Sequence, residues 1–510
     1  MPAYKALGEW HELTLVPLTS LSTDNVFAAA GFEPGRAAAP DIAASVGQAV
    51  GASSVLRSRI PDLGTLAMVQ GKVAARPAHG ARPGALSPIS TSTTQTLVTQ
   101  TVIAEGLRQA DLAAAKTFGA TVLEEGFDGK VLLRVESHEQ VFALVDLLMK
   151  REVGSVTPNF LRRVSVKKSS APVKAWSHNK IRVAAAWAIT KGSADVRVAV
   201  LDEGVDTAHP SLKAAVVAER DFIGSNGNSA MPDGNDAHGT ACAGIVLSRD
   251  KTFSGIAPGC SLIAARIAMG DGNDGWVFED FRTADAIDWC WRQGADVLSN
   301  SWGGGAPSDA ISRAFGRART QGREGLGAVV AIAAGNDQIP IDFPGNLPGY
   351  VTVGASNPAD QRKTKTSSDG EDWWGSNFGP TMHVLAPGVF IWTTDISGPA
   401  GYEPGNFTKT FNGTSSATPA VAGAAALMIS ANPALSATSI RNLLKDTAKK
   451  IQGQTTWTPQ LGWGRLDVGS AVAAAKAAGA PPPVKPKPPR KKKKSRKKAK
   501  KKAKKTARKR

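Results

Sequence analysis

Between residues 180 and 478 the chain alternates short apolar runs with segments whose apolar positions recur at helical spacing. Residues 196–201 and 328–333 are almost entirely apolar. Runs of that kind suit strands of a parallel sheet buried on both faces, because a strand with one solvated face alternates apolar and polar residues instead. Residues 283–292 and 308–323 read as intervening helices, and 421–429 as a buried helix built from small residues. The succession predicts an α/β fold with a doubly wound, mostly parallel sheet.

Residues 93–166 have a different rhythm. Residues 95–104 are strand-like and 107–118 are Ala-rich and helical. Two further strands, 121–125 and 130–135, flank the turn signal Gly126-Phe-Asp-Gly129. Val141, Leu144, Leu147 and Leu148 then repeat at helical spacing, and 153–160 closes the sheet. The order β-α-β-β-α-β predicts a small α+β unit of the split type. Residues 1–92 are harder to assign: an apolar patch at 13–18 is followed by Ala/Gly-rich sequence and a Pro/Gly/Ser stretch at 76–92. They read as an accessory region or a partly disordered leader of unknown role. The expected organisation is 1–92, 93–166, an α/β domain over 177–478, and a tail at 479–510.

Charge sharpens that division. The 510 residues carry a net charge of +18, but 18 of the 61 Lys and Arg lie in 485–510, where there is no acid. The 43 that remain match the 43 Asp and Glu, so the basicity belongs to the tail and not to the fold. The tail's only apolar residues are Val484 and four alanines, too few to build a core, and it is expected to be disordered. No run of 18 apolar residues occurs, so no membrane span is expected. Residues 1–21 lack the apolar stretch of a secretory signal, which points to a cytoplasmic protein, with non-classical export left open. Three cysteines, Cys242, Cys260 and Cys290, are too few and odd in number for a disulfide scaffold, and read as buried thiols.

The candidate chemistry sits at the ends of the predicted elements, where open α/β sheets place their ligands. An apolar strand ends in Val198-Ala-Val-Leu-Asp202-Glu-Gly204, and a carboxylate there can orient a histidine. His238-Gly-Thr-Ala-Cys-Ala-Gly244 looks like a helix start packed tightly on a sheet. In Asn412-Gly-Thr-Ser415-Ser-Ala-Thr-Pro419, Ser415 stands where a loop enters a helix, whose free N–H groups favour a developing oxyanion. Asn336, at the end of the apolar run 328–333, offers a side-chain amide donor. A base, a carboxylate to hold it, a hydroxyl and oxyanion donors are what peptide hydrolysis by serine requires.

The order Asp…His…Ser with these strings resembles the subtilisin-like serine peptidases. The likeness runs over about residues 180–478. Ser299-Asn-Ser-Trp-Gly303 is similar to the family's substrate-binding strand. Ser376-Asn-Phe-Gly379, Ala386-Pro-Gly388 and His209-Pro-Ser-Leu212 match further landmarks. The resemblance implies that Asp202 orients, His238 is general base then acid, Ser415 attacks, and Asn336 binds the oxyanion. It implies substrate contacts at Ser301, Trp302, Gly303, Gly335 and Asp342, the last at the base of the P1 pocket, where a carboxylate favours Lys or Arg. Such a preference would threaten the chain's own tail unless the tail is trimmed or out of reach. The unit at 93–166 is similar to the family's propeptide, which implies a zymogen that cuts itself between about Arg162 and Trp176.

Departures from the family pattern are Glu203 in place of Ser or Thr, Ser416 in place of Met or Ala, and Ser211 where many members place a calcium-ligating Asp. No cofactor is expected to be required; structural calcium is possible but not supported at Ser211. Trp302 and Cys242 lean towards the kexin-like branch, although 479–510 does not read as the β-sandwich domain of a kexin. The tail would bind DNA, RNA or another polyanion without sequence specificity, because it has no aromatic residue for base stacking. The expected activity is therefore that of a monomeric serine endopeptidase acting on protein or peptide. The competing reading is a catalytically silent, nucleic-acid-associated scaffold with a protease fold.

Overall fold

The computed structural model describes residues 3–6, 9–17, 67–74, 87–88, 95–165, 176–224, 229–270 and 275–479. The basic stretch 485–510, residues 166–175 of the expected self-cleavage region and most of 1–92 lie outside these.

The first layer is a 10-stranded antiparallel sheet. Its first strands are β1 (Ala3–Ala6), β2 (Glu9–Pro17), β3 (Ala67–Ala74) and β4 (Ser87–Pro88). The α+β unit follows: β5 (Gln95–Glu105), α1 (Gln109–Thr117), β6 (Thr121–Glu125), β7 (Lys130–Arg134), α2 (His138–Lys150) and β8 (Ser155–Ser165). Ser137 caps α2 with a capping box closed by Gln140, which fixes where the helix begins. Val98, Val102, Leu133, Val141, Leu144, Leu148 and Phe160 are buried together between the helices and the sheet. β5 and β8 form the central antiparallel pair, with Gln95 opposite Arg163 and Glu105 opposite Ser155. The N-terminal end of β5 also pairs with β3, Ala67 opposite Val98. The N-terminal strands, which the hydrophobic pattern did not resolve, thus extend this sheet.

The second layer begins with two short helices, α3 (Ser177–Lys180) and α4 (Val183–Trp187), and then alternates strands and helices. In chain order these are β9 (Arg197–Asp202), β10 (Val216–Asp221), α5 (His238–Leu247), β11 (Ser261–Arg266), β12 (Ala268–Gly270), β13 (Gly275–Glu279), α6 (Asp280–Arg292), β14 (Val297–Asn300), α7 (Asp309–Gln321), β15 (Val329–Ala333), β16 (Val351–Ser356), β17 (Met382–Pro387), β18 (Ile391–Gly398), β19 (Gly405–Phe411), α8 (Thr414–Ala431), α9 (Ala437–Asp446) and α10 (Val468–Ala477). Seven strands form one parallel sheet in the order β10-β11-β9-β14-β15-β16-β17. Alternate residues of each strand face opposite sides. Val198, Val200, Val329 and Ala331 pack against α5, α8 and α10. Ala199, Leu201, Val330 and Ile332 pack against α6 and α7. Both sides are therefore apolar, as the near-continuous runs predict. α7 stops at Gln321 because Gly322 follows, and α6 starts at Asp280, earlier than its apolar spacing suggests.

The two layers meet along β8 and β13, which pair antiparallel with Leu161 opposite Glu279 and Ser165 opposite Gly275. β12 and β13 thereby complete the first sheet. Asn159 on β8 accepts from the Phe281 N–H (3.2 Å) and donates to Glu279 (3.0 Å), so one layer caps the α6 N-terminus of the other. Ile103 and Leu132 join the apolar cluster around α6 and α7. Around them lies a ring of ion pairs. Fully buried Lys130 reaches Asp285 (3.0 Å) and Asp288 (2.6 Å), and Arg317 reaches Glu105, Asp128 and Asp288.

Removing one partner of a buried pair leaves an uncompensated charge. Lys130→Met, made in a Ser415→Ala background, is expected to cost about 3–5 kcal/mol near neutral pH. Burial already raises the Asp285 carboxyl, with Lys130 opposing that rise. Once Lys130 is gone, the carboxyl takes up a proton more readily, so the loss should shrink on acidification. Urea denaturation at neutral and acid pH checks both; equal stability of the two chains at neutral pH would contradict the pairing.

Candidate active site

The parallel sheet delivers Asp202 as the last residue of β9, and α5 begins on His238 beside it. His238 Nδ1 lies 2.8 Å from Asp202 Oδ1, and both side chains are buried. Such close approach needs glycine. A Cβ on Gly239 would lie 2.0 Å from the Gly204 carbonyl oxygen and 2.9 Å from Asp202 Cβ. Gly204 itself has φ +122° and lies against Pro232. Glu203 Oε1 accepts from the His238 N–H (2.7 Å), capping α5 where the preceding residue, Ala237, has no side chain to do so.

These buried charges set one another. Burial alone would lower the His238 pKa, but the charge of Asp202 and its hydrogen bond outweigh this, with Glu203 adding, so the imidazole is held above its ordinary 6.5. Burial, reinforced by the charges of Asp236 and Asp202 and opposed by His238, pushes Glu203 well above the usual carboxylate range. Cys242, one turn along α5, lies 3.8 Å from His238 Nδ1 and 3.5 Å from the Ser415 carbonyl oxygen. Its thiol is raised well above 9.0, first by burial and then by Asp202. Cys242, Cys260 and Cys290 are all free and buried.

Ser415 is the second residue of α8 and follows Gly413, whose φ is +106°. Its Oγ donates to the Ser301 carbonyl (3.3 Å), and Ser301 Oγ donates back to the Ser415 carbonyl (3.0 Å). Asn336 Oδ1 accepts from Thr414 N (2.8 Å) and Oγ1 (2.9 Å), which fixes which end of the amide is the donor. A Cβ on Gly413 would lie 3.2 Å from Asn336 Nδ2 and 3.4 Å from Ser415 N. Two N–H donors therefore converge on a space that glycine keeps open.

The remaining candidates lie close by. Gly335 donates to Thr414 Oγ1 (3.1 Å), and its own Cβ would meet Asn377. Gly303 approaches Phe343 and Pro344, next to half-buried Asp342. The Trp302 side chain turns into the core, between Phe278 and Phe315, which leaves its backbone as the part a substrate strand could meet. Sequence reasoning missed the Glu203 cap and Trp276, whose ring lies 5.6 Å from that of His238. Glu203 was visible only as a departure, and the polar sequence around 270–275 gave no sign that a strand follows.

Both Asp206 carboxylate oxygens already accept backbone N–H groups, from Ala208 and Ser397. Among the described residues, the one cluster of possible ligands is Asp202, His238 and Cys242. That soft, buried set does not suit calcium, which prefers several oxygen ligands.

The sequence model of the subtilase family matches residues 193–464, which hold Asp202, His238, Asn336 and Ser415. The chain belongs to the subtilase family. Among curated relatives it is 35% identical over 265 residues to subtilisin DY of Bacillus licheniformis, covering 51% of this chain and 85% of that one. It is 32% identical over 334 residues to a calcium-dependent protease of Nostoc sp., covering 58% of this chain and 48% of that one. The chain thus spans about half the length of that calcium-dependent protease. Fervidolysin from Fervidobacterium pennivorans, a keratinolytic enzyme related to subtilisin, superposes with a TM-score of 0.59 at 22% identity. That match covers 75% of this chain and 61% of the other, and is a likeness of fold.

In this subtilase the Asp202 contact is what lifts the histidine. In the Ser415→Ala chain, His238 should titrate above 6.5, and in Asp202→Asn below it, because burial, the largest single effect, then outweighs what Glu203 still adds. A raised folded-state value contributes stability that is fully present below the unfolded value and is lost as pH rises through the folded one. Asp202→Asn should therefore cost most at acid pH. Histidine-labelled NMR titration reads the first effect and pH-dependent melting the second; an unmoved His238 resonance in Asp202→Asn would contradict the coupling.

Proposed function

We propose that the chain is a serine endopeptidase made as a self-cleaving zymogen. The observation that carries this reading is the buried His238–Asp202 contact placed beside Ser415, where the Asn336 amide and the Ser415 N–H converge.

In the proposed reaction Ser415 Oγ leaves the Ser301 carbonyl, gives its proton to His238 and attacks the substrate carbonyl carbon. Asp202 holds the imidazole in the tautomer that accepts at Nε2 and stabilises the imidazolium. The oxyanion forms in the space above Gly413, against Asn336 Nδ2 and Ser415 N, with the α8 dipole behind it. His238 then protonates the leaving amine, giving an acyl-enzyme, and activates the water that releases the acid. Because the base form of His238 predominates only above its raised pKa, activity should rise with pH through a midpoint above 6.5.

Two features support the zymogen reading. β8 lies along β13 as an added antiparallel strand, and opposite Val164 stands Trp276, the neighbour of His238. The strand thus lies beside the residue that touches His238 as an added extended peptide would. By resemblance to the family, Asp342 would lie at the base of the S1 pocket, where a carboxylate favours Lys or Arg at P1 by a charge-assisted hydrogen bond. The polyanion-binding role of 485–510 rests on its sequence alone.

The test is hydrolysis of unfolded casein, with intact masses recorded. Wild type should digest casein and lose its N-terminal segment. Ser415→Ala should do neither, losing about 10⁶-fold in kcat, as the nucleophile does in subtilisin. Asn336→Ala should lose about 10²–10³-fold, again as for the corresponding donor there. A full-length, active wild-type chain would overturn the zymogen reading, and an active Ser415→Ala chain the mechanism. P1 preference is read separately: Asp342→Asn should lower kcat/KM for a P1 Arg peptide relative to P1 Leu, and an unchanged ratio would remove Asp342 from the specificity argument.

A further inference from the structure

We propose that the α/β domain carries a guanidinium pocket, built by Asp280, the carbonyl oxygens of Gly304 and Ala306 and the ring of Phe343, that selects arginine upstream of the scissile bond. The inference rests on the peptidase reading and adds a substrate class to it.

In the structure the pocket is filled by Arg162 of the prosegment strand. β8 runs antiparallel to β13 with Arg162 opposite Phe278 and Val164 opposite Trp276. A substrate chain laid along β13 in the same register would place its own side chain where Arg162 now points. Arg162 Nε lies 2.6 Å from Asp280 Oδ1, and Nη2 lies 3.0 Å from Oδ2, a forked pairing. Nη1 donates to the Gly304 carbonyl (2.5 Å) and Nη2 also to that of Ala306 (2.7 Å). The guanidinium carbon stands 5.0 Å from the centre of the Phe343 ring, within cation–π range. Gly304 N donates to the Phe343 carbonyl, which ties the carbonyl-bearing loop to the ring. Arg162 and Asp280 are 1% and 0% exposed.

The chemistry of the lining selects its occupant. The polar groups that meet Arg162 are acceptors, and the remaining wall is a π face. Four of the five N–H donors of a guanidinium are used in one plane, a geometry that a lysine ammonium cannot reproduce. A leucine at the same register would leave a carboxylate and two carbonyls without their donors, which is the situation in which polar sites discriminate strongly. All four components come from residues 280–343, so they stay with the α/β domain when the prosegment is cut away.

The experiment uses the self-processed enzyme and internally quenched peptides with the sequence of residues 157–170, carrying Arg, Lys or Leu at position 162. Casein hydrolysis is measured first. Wild type should cut the Arg peptide at least about tenfold faster in kcat/KM than the Lys or Leu peptides, the scale of one charge-assisted contact. In Asp280→Asn that ratio should fall towards one; as a ratio within one enzyme, it is insensitive to a general loss of activity. If Asp280→Asn does not fold, Phe343→Leu should reduce the ratio instead. Equal rates in wild type, or an undiminished preference in the variants, would overturn the proposal. If neither casein nor any peptide is cut, it is the peptidase reading that has failed. The pocket is then tested by melting the full-length Arg162→Ala chain with ethylguanidinium or ethylammonium. A saturable rise in Tm with ethylguanidinium alone supports the pocket, and the same response to both overturns it.

Discussion

Everything at the site depends on the parallel sheet being covered on both faces. With Val198 and Val200 under one helix layer and Ala199 and Leu201 under the other, β9 has no solvated face. After Arg197 at its exposed start, the next polar residue is its last, Asp202, so the carboxylate emerges already desolvated at the carboxyl edge of the sheet. The same packing brings the N-terminal ends of α5 and α8 to that edge, and with them His238 and Ser415. Close contact then demands residues without side chains. Gly239 lets α5 touch the turn after β9, and Gly413 keeps open the space between Asn336 and Ser415. The site is a consequence of how tightly the layers close.

Burial also decides how the acids near the site share charge. Asp202, Glu203 and Asp236 lie close enough to one another that full ionisation of all three is opposed. Glu203 holds its proton more tightly for that reason, while its Oε1 still accepts from the first N–H of α5.

The architecture of the α/β domain was legible because its strands are nearly pure apolar runs and its reactive residues sit in specific local strings, such as 238–244 and 412–419. The split β-α-β-β-α-β order of 95–165 was legible for a similar reason: its helices and its Gly126–Gly129 turn each carry a local signal. What could not be read was long-range. Nothing local in 67–74 says that it pairs with β5, and nothing in 275–279 says that it pairs with β8, because an edge partnership is written in neither strand alone. The direction of the Trp302 indole was unreadable for the same reason. Its sequence neighbours place it beside Ser301, but only packing against Phe278 and Phe315 shows which way the indole turns.

On the proposed reading, one arginine couples inhibition to specificity. An enzyme whose upstream pocket prefers arginine will hold tightly any extended strand that offers one, and its own prosegment does so in cis. While the chain is continuous, that strand competes at the effective concentration of a tethered group, far above that of a diffusing substrate. Cutting the tether leaves the same contacts but removes that advantage, so Arg162 and its register on β13 then compete on equal terms with substrate. The remaining hold comes from the ion pairs of Lys130, Arg313 and Arg317 with the acids facing them across the layers. Of these, buried Lys130 is the least screened by salt, and the half-exposed Arg313 the most. Release of the severed prosegment should therefore be governed less by the surface ring than by the two buried cations, Lys130 and Arg162, whose removal from Asp288 and Asp280 must be matched by water or by an incoming substrate.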